Sequence, residues 1–172
     1  MLHRAVEQFL TDVYWGDLDF LLVDLPPGTG DVAISLGQLL PGAKSIVVTT
    51  PQATAATVAE RSGAIGLTTG QEILGVVENM SYLEIAGSKH EIFGSGGADS
   101  VAKRLSELSG NEVPVLGRIP IGEQLRAASD RGEPLVALDE NDPAAAEIIK
   151  IAERISQTPR GLGGKKLDLK VI

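Results

Sequence analysis

Phe20-Leu21-Leu22-Val23-Asp24-Leu25-Pro26-Pro27-Gly28-Thr29-Gly30-Asp31 is an apolar run that ends in a carboxylate and breaks into a proline and glycine loop. Four apolar residues in succession suit a strand covered on both faces, as in a parallel α/β sheet. Asp24 then stands at the carboxyl end of that strand, the edge at which open α/β sheets bind their ligands. Pro26-Pro27 cannot continue a hydrogen-bonded ladder, and the glycines behind them let backbone N–H groups approach an anion closely. A carboxylate beside bare N–H donors suits Mg²⁺ and phosphate. An isolated Asp at a strand end also reads as a helix cap, and it is the Pro-Pro-Gly-Thr-Gly-Asp continuation that favours the ligand site.

Working outward, the next apolar runs are Ser45-Ile46-Val47-Val48-Thr49-Thr50, closed by Pro51, then Leu74-Gly75-Val76-Val77-Glu78-Asn79, then Val115-Leu116-Gly117-Arg118-Ile119, closed by Pro120. The intervals between them fit parallel crossovers of about 30 residues that include a helix. Helical patterns fill the gaps at 32–40, 53–68, 98–108 and 123–131, with one more at 144–155 behind an Asp142-Pro143 start and one at 1–13 ahead of the first strand. Two short alternating runs around Gly87-Ser88 predict a β-hairpin near 82–93. The fold class expected is a doubly wound, mostly parallel α/β sheet with flanking helices and that small insertion. Residues 1–156 form the domain, and 157–172, with Pro159 and several glycines, read as an extended or mobile tail.

At 172 residues the chain suffices for one domain. Aromatic residues make up only 3%, so Val, Ile, Leu and Ala must build the core. The net charge of −8 repels nucleic acid and anionic membrane surfaces, and no basic patch with interleaved aromatics offsets it. Neither a signal-peptide pattern nor an apolar run of transmembrane length is present, so the chain reads as a cytoplasmic protein. It has no cysteine, which removes disulfides and thiolate metal ligands.

In a parallel sheet Asp24, Thr50-Pro51, Asn79 and Pro120 end strands on one edge and converge. The Asn79 amide offers a donor and acceptor pair for the edge of a purine base, or satisfies a turn. Pro120-Ile121-Gly122-Glu123 could close over a base with its backbone, or simply start a helix. Gly28-Thr29-Gly30-Asp31-Val32-Ala33 fits the dinucleotide pattern G-x-G-x-x-A, but the prolines separate it from the strand and Thr49-Thr50 stands where an acidic ribose ligand belongs. Gly161 to Lys166 is a poor phosphate loop without a preceding strand. His90 and His3 lack companion ligands and read as surface residues. No nucleophile elbow is present.

Together with Leu22 to Asp31, the segments Val48-Thr49-Thr50-Pro51-Gln52, Val77-Glu78-Asn79-Met80-Ser81-Tyr82, Ile92-Phe93-Gly94-Ser95-Gly96-Gly97 and Gly117-Arg118-Ile119-Pro120-Ile121 make the chain resemble the Mrp-type ATPases. These are relatives of the MinD and ParA group of P-loop proteins that act as iron-sulfur cluster carriers. The resemblance implies ATP and Mg²⁺ as cofactors, with Asp24 holding the metal through its water shell. It makes Gly28 the glycine whose N–H senses the γ-phosphate, with Pro26-Pro27 stiffening that switch. Pro27 and Gly28 would line the nucleotide, Asn79 would read adenine, and Pro120 and Ile121 would cover it. It also implies a homodimer with ATP near the interface, and clients drawn from iron-sulfur assembly or apo-proteins.

Two departures accompany the resemblance. The glycine-rich phosphate loop of the family belongs ahead of this segment, so the chain reads as a carboxyl-terminal part and its P-loop fold as incomplete. The Cys-x-x-Cys pair of the family's carriers belongs just after Met80-Ser81-Tyr82, where Leu83 to Lys89 stand without cysteine. An iron-sulfur cluster is thus implied by the family and unsupported by these residues. The expected function is ATP binding and hydrolysis in iron-sulfur cluster assembly or transfer. The alternatives are a non-catalytic dimerisation or interaction module and a MinD-like regulatory ATPase.

Overall fold

The computed structural model describes residues 2–25, 31–40 and 42–158. In chain order the elements are α1 (Leu2–Thr11), α2 (Asp31–Leu39), β1 (Lys44–Thr49), α3 (Ala53–Thr68), β2 (Glu72–Glu78), β3 (Leu83–Ile85), β4 (Ser88–His90), α4 (Gly97–Ser109), β5 (Val115–Arg118), α5 (Glu123–Arg131), α6 (Leu135–Leu138) and α7 (Pro143–Ser156). A three-stranded parallel sheet has the order β1-β2-β5, and β3 and β4 pair antiparallel as a separate hairpin.

The period of two along each strand sorts the sheet's side chains between two helical layers. Val47 of β1 and Val76 of β2 pack with Ala56, Ala59, Val101 and Leu105 of α3 and α4. Ile46, Val77 and Leu116 point the other way, onto Ile151 and Ile155 of α7. Small buried residues of α3, Ala56, Ala59, Gly63 and Gly66, bring that helix close to the sheet. A third cluster joins α5, α6 and α7 through Ala128, Leu135, Ala144 and Ala145, with Ile119 at its border. Glycine is required at Gly75 in β2, where φ is 157° and a Cβ would lie 2.6 Å from both the Pro114 carbonyl oxygen and Leu116 Cγ.

Asp142 caps α7 by accepting hydrogen bonds from the N–H groups of Ala144 at 2.8 Å and Ala145 at 3.3 Å, while Pro143 occupies the first turn, where no N–H is needed. The hairpin turns at Ala86 and Gly87, with φ of 50° and 77°, one residue earlier than Gly87-Ser88. Positive φ at both central residues is the geometry that matches the twist of two paired strands.

The strand expected over Phe20 to Asp24 is not formed. Residues 20–25 are irregular, and Leu22 is 82% exposed. An apolar run becomes a buried strand only where a neighbouring strand takes up its backbone N–H and C=O groups, and no described strand pairs with this one. The outer edge of β1 is likewise unpaired among the described residues, and Val48 there is exposed. Pro27, Gly28 and the segment 161–166 lie outside the described residues.

Candidate functional site

The carboxyl ends of β2 and β5 continue their pairing beyond the strands proper. Ile119 N–H donates to the Glu78 carbonyl at 2.8 Å, Ser81 N–H to Ile119 O at 3.0 Å, and Ile121 N–H to Tyr82 O at 2.7 Å. On the other side Asn79 N–H donates to Thr49 O at 2.8 Å. Asn79, Pro120 and Ile121, far apart in sequence, are thus held in one hydrogen-bonded strip at the carboxyl edge of the sheet. The buried Ser81 adds a hydroxyl bond to Glu78 O at 3.0 Å.

Asn79 is partly exposed, and its Oδ1 accepts the Met80 N–H at 2.9 Å. This orients the amide, leaving both Nδ2 donors without a hydrogen-bond partner among the described residues and one Oδ1 lone pair free. The Asn79 side chain thus makes a turn hydrogen bond while keeping donors available. Met80 takes the left-handed conformation, with φ of 56°.

Beneath this strip lies a charged cluster. Glu78 closes an otherwise apolar strand and is only 2% exposed. Its Oε2 accepts the N–H of Ala98 at 2.8 Å, in the first turn of α4, and its Oε1 lies 3.6 Å from Arg118 Nε. Arg118, opposite Glu78 in the β2–β5 register, donates through Nη2 to both carboxylate oxygens of Asp99, at 2.7 and 2.6 Å. The Asp99 hydrogen bond raises the Arg118 guanidinium above its ordinary pKa; burial opposes this, and the charges of Asp99, Glu78 and Glu147 add to it. The Arg118 backbone N–H in turn donates to Glu147 of α7 at 3.2 Å. One strand pair is thereby tied to helices on both faces.

Asp24 is not brought to this strip. It lines a cavity of about 260 Å³ with Val23, Leu25 and apolar residues of α1 and α2, among them Phe9, Leu10 and Leu36. Among the described residues no group of three His, Asp or Glu side chains gathers to hold a metal ion. His90 lies exposed in β4, opposite Leu83. Glu78, Asp99 and Arg118, which underlie the strip, were not singled out by the motif reading. The available signal was a carboxylate closing the apolar run 73–77 and an arginine just before Ile119-Pro120.

A parallel sheet between two helical layers, with polar groups gathered at the carboxyl ends of its strands, is the architecture of the P-loop nucleotide-binding proteins. The chain belongs to the ParA family, in the group described as NUBPL iron-transfer P-loop NTPase, whose model matches residues 1–156. An iron-sulfur cluster carrier protein from Mycobacterium leprae is 55% identical over 170 residues, which cover 98% of this chain and 44% of that protein. A Bacillus subtilis protein of the same name is 43% identical over 157 residues, covering 90% of this chain and 42% of its own. This chain thus spans less than half the length of those relatives. Among solved structures, a nucleotide-binding protein from Archaeoglobus fulgidus in complex with ADP matches with a TM-score of 0.65 and 34% identity, over 85% of this chain and 57% of that one. The cell division ATPase MinD of Pyrococcus furiosus has the same fold, with a TM-score of 0.65 at 24% identity, over 92% of this chain and 58% of its own. No described helix is long and apolar enough to cross a membrane.

Proposed function

We propose that this chain supplies the base-binding part of an ATP site in a P-loop NTPase that works in iron-sulfur cluster assembly or transfer. The observation that carries the reading is the strip joining Asn79 to 119–121, in which an oriented amide with free Nδ2 donors sits beside backbone at the ligand edge of a parallel sheet. An asparagine amide can pair with N6 and N7 of adenine together, whereas guanine places an acceptor where Oδ1 needs a donor. The relatives named as iron-sulfur cluster carriers and the ADP complex of the Archaeoglobus protein support the same assignment.

In this reading Asp24 would hold Mg²⁺, Pro27 and Gly28 would bind phosphate, Asn79 would read the base, and Pro120 and Ile121 would cover it. ATP supplies a phosphoryl bond whose hydrolysis alters contacts with a second copy or a client protein in the cytoplasm. The cluster is cargo. Because the chain has no cysteine, its thiolate ligands must come from elsewhere. The test is an equilibrium titration with ATP and GTP, comparing the protein with its Asn79→Ala variant. The expected result is a preference for ATP that falls by about tenfold in the variant, corresponding to one lost hydrogen bond. An unchanged preference would remove Asn79 from base recognition.

A further inference from the structure

We propose that Glu78 and Arg118 are positioning residues for purine recognition, holding Asn79 and the 119–121 backbone in one register so that selectivity for adenine depends on a carboxylate that does not touch the base. The proposal rests on the nucleotide reading above and assigns to that site two residues that sequence motifs did not reveal.

The cluster is costly to build. A carboxylate that is 2% exposed gives up its hydration, and a Val at this position would extend the apolar strand without that loss. What the carboxylate provides is direction. Its two oxygens face different partners, Ala98 N–H in the first turn of α4 and the guanidinium of Arg118 on the neighbouring strand, and Arg118 is itself fixed by Asp99. Glu78 is therefore held from two sides at the residue immediately before Asn79. The backbone of Glu78 is held as well, because its carbonyl accepts from Ile119 N–H and from the Ser81 hydroxyl.

The residue after Asn79 shows what this rigidity supports. Met80 sits in the left-handed region, which is unfavourable for a side chain with a Cβ by about 1–2 kcal/mol. Such a conformation persists only where its surroundings over-determine it. The Met80 N–H, aimed by the peptide plane that joins it to Asn79, donates to Asn79 Oδ1 and so turns the amide. With Glu78 anchored on one side and Ser81 buried on the other, the strained residue and the amide it orients are clamped between two fixed points. Arg118 acts on the opposite strand in the same way, because its side chain binds α4 while its N–H binds Glu147 of α7, fixing the strand end that leads into Pro120 and Ile121.

The experiment is an NMR titration of the full chain with ATP and with GTP, following backbone amides so that weak binding is still read. It compares wild type with Asn79→Ala, Glu78→Gln, Arg118→Met and Asp142→Ala. Glu78→Gln keeps an acceptor for Ala98 but loses the charge facing Arg118. Asp142→Ala removes the α7 cap, remote from the strip, and serves as a destabilised control. The expected result is that Glu78→Gln and Arg118→Met each lower the ATP-over-GTP preference by up to about tenfold, while Asp142→Ala lowers the melting temperature and leaves the preference unchanged. If Glu78→Gln does not fold, Arg118→Met, altered at a side chain 43% exposed, carries the test. A preference abolished by Asn79→Ala but intact in the folded positioning variants overturns this proposal alone. A wild type that does not discriminate between the nucleotides overturns the base-reading assignment and the proposal with it.

Discussion

Gly97, the first residue of α4, lies so close to Pro51 that a Cβ on it would stand 2.9 Å from both Cα and O of that proline, with the Thr50 carbonyl oxygen closer still. The contacts are backbone, which cannot rotate aside. Gly97→Ala should therefore push the start of α4 off the end of β1, lowering stability by about 1–3 kcal/mol despite the better helix propensity of alanine. Thermal unfolding checks this, with a fall of roughly 2–4 °C per kcal/mol for a domain of this size. An unchanged midpoint would mean that α4 can retreat without loss.

Asp24→Asn tests the metal role proposed for that side chain. The substitution removes a charge with almost no change of shape at an exposed position, so stability should change by no more than an ordinary surface substitution, about 0.5 kcal/mol. In a longer chain that carries the family's phosphate loop ahead of this segment, Mg²⁺-dependent ATP turnover should be lost in the variant. Turnover that survives in the variant would return Asp24 to a structural part.

The pairing of Arg118 with Asp99 has a defined dependence on pH. The Arg118 pKa is raised in the folded protein, so the stability it contributes is fully present below its ordinary unfolded value and is lost only as the pH rises through the higher folded one. The difference in urea midpoint between wild type and Arg118→Met should accordingly stay constant from about pH 6 to pH 10, a window above the ordinary carboxylate range. The pair with Asp99, whose side chains are 43% and 60% exposed, should contribute less than about 1 kcal/mol to that difference. A difference that changes steadily across that window would show that another titrating group controls the contact.

The α7 cap gives a local stability prediction. Asp142→Ala leaves two first-turn N–H groups without their acceptor and should lower stability by about 1 kcal/mol. Asp142→Asn, which keeps an acceptor oxygen, should recover most of that loss. Equal melting of all three proteins would mean that Pro143 and packing suffice to start the helix.

Where local pattern determined structure, the sequence was legible. Helices α3 and α5 span the residues that their periodicity and flanking turns indicate, 53–68 and 123–131, and the three parallel strands agree to within two residues at each end. The short α6 was missed because four residues carry no helical period. The run 20–24 was misread as a strand because strand formation depends on a pairing partner, and hydropathy carries no information about one. Asn79 and the 120–121 loop were readable as residue types at strand ends. Glu78 and Arg118 were not, since nothing in either segment says that the two side chains meet each other or that a helix start 20 residues further on receives the carboxylate.

The pairing of β2 with β5 does not stop at the ligand edge, because Leu83, the first residue of the hairpin, bridges Ile121. The hairpin is therefore an extension of the backbone proposed to lie over the base. One hydrogen-bonded path runs from 119–121 through Tyr82 and Leu83 to the exposed tip at Ala86-Gly87. The carboxyl edge of the sheet and the surface hairpin are therefore continuous, so that a contact made at either one bears on the same run of backbone.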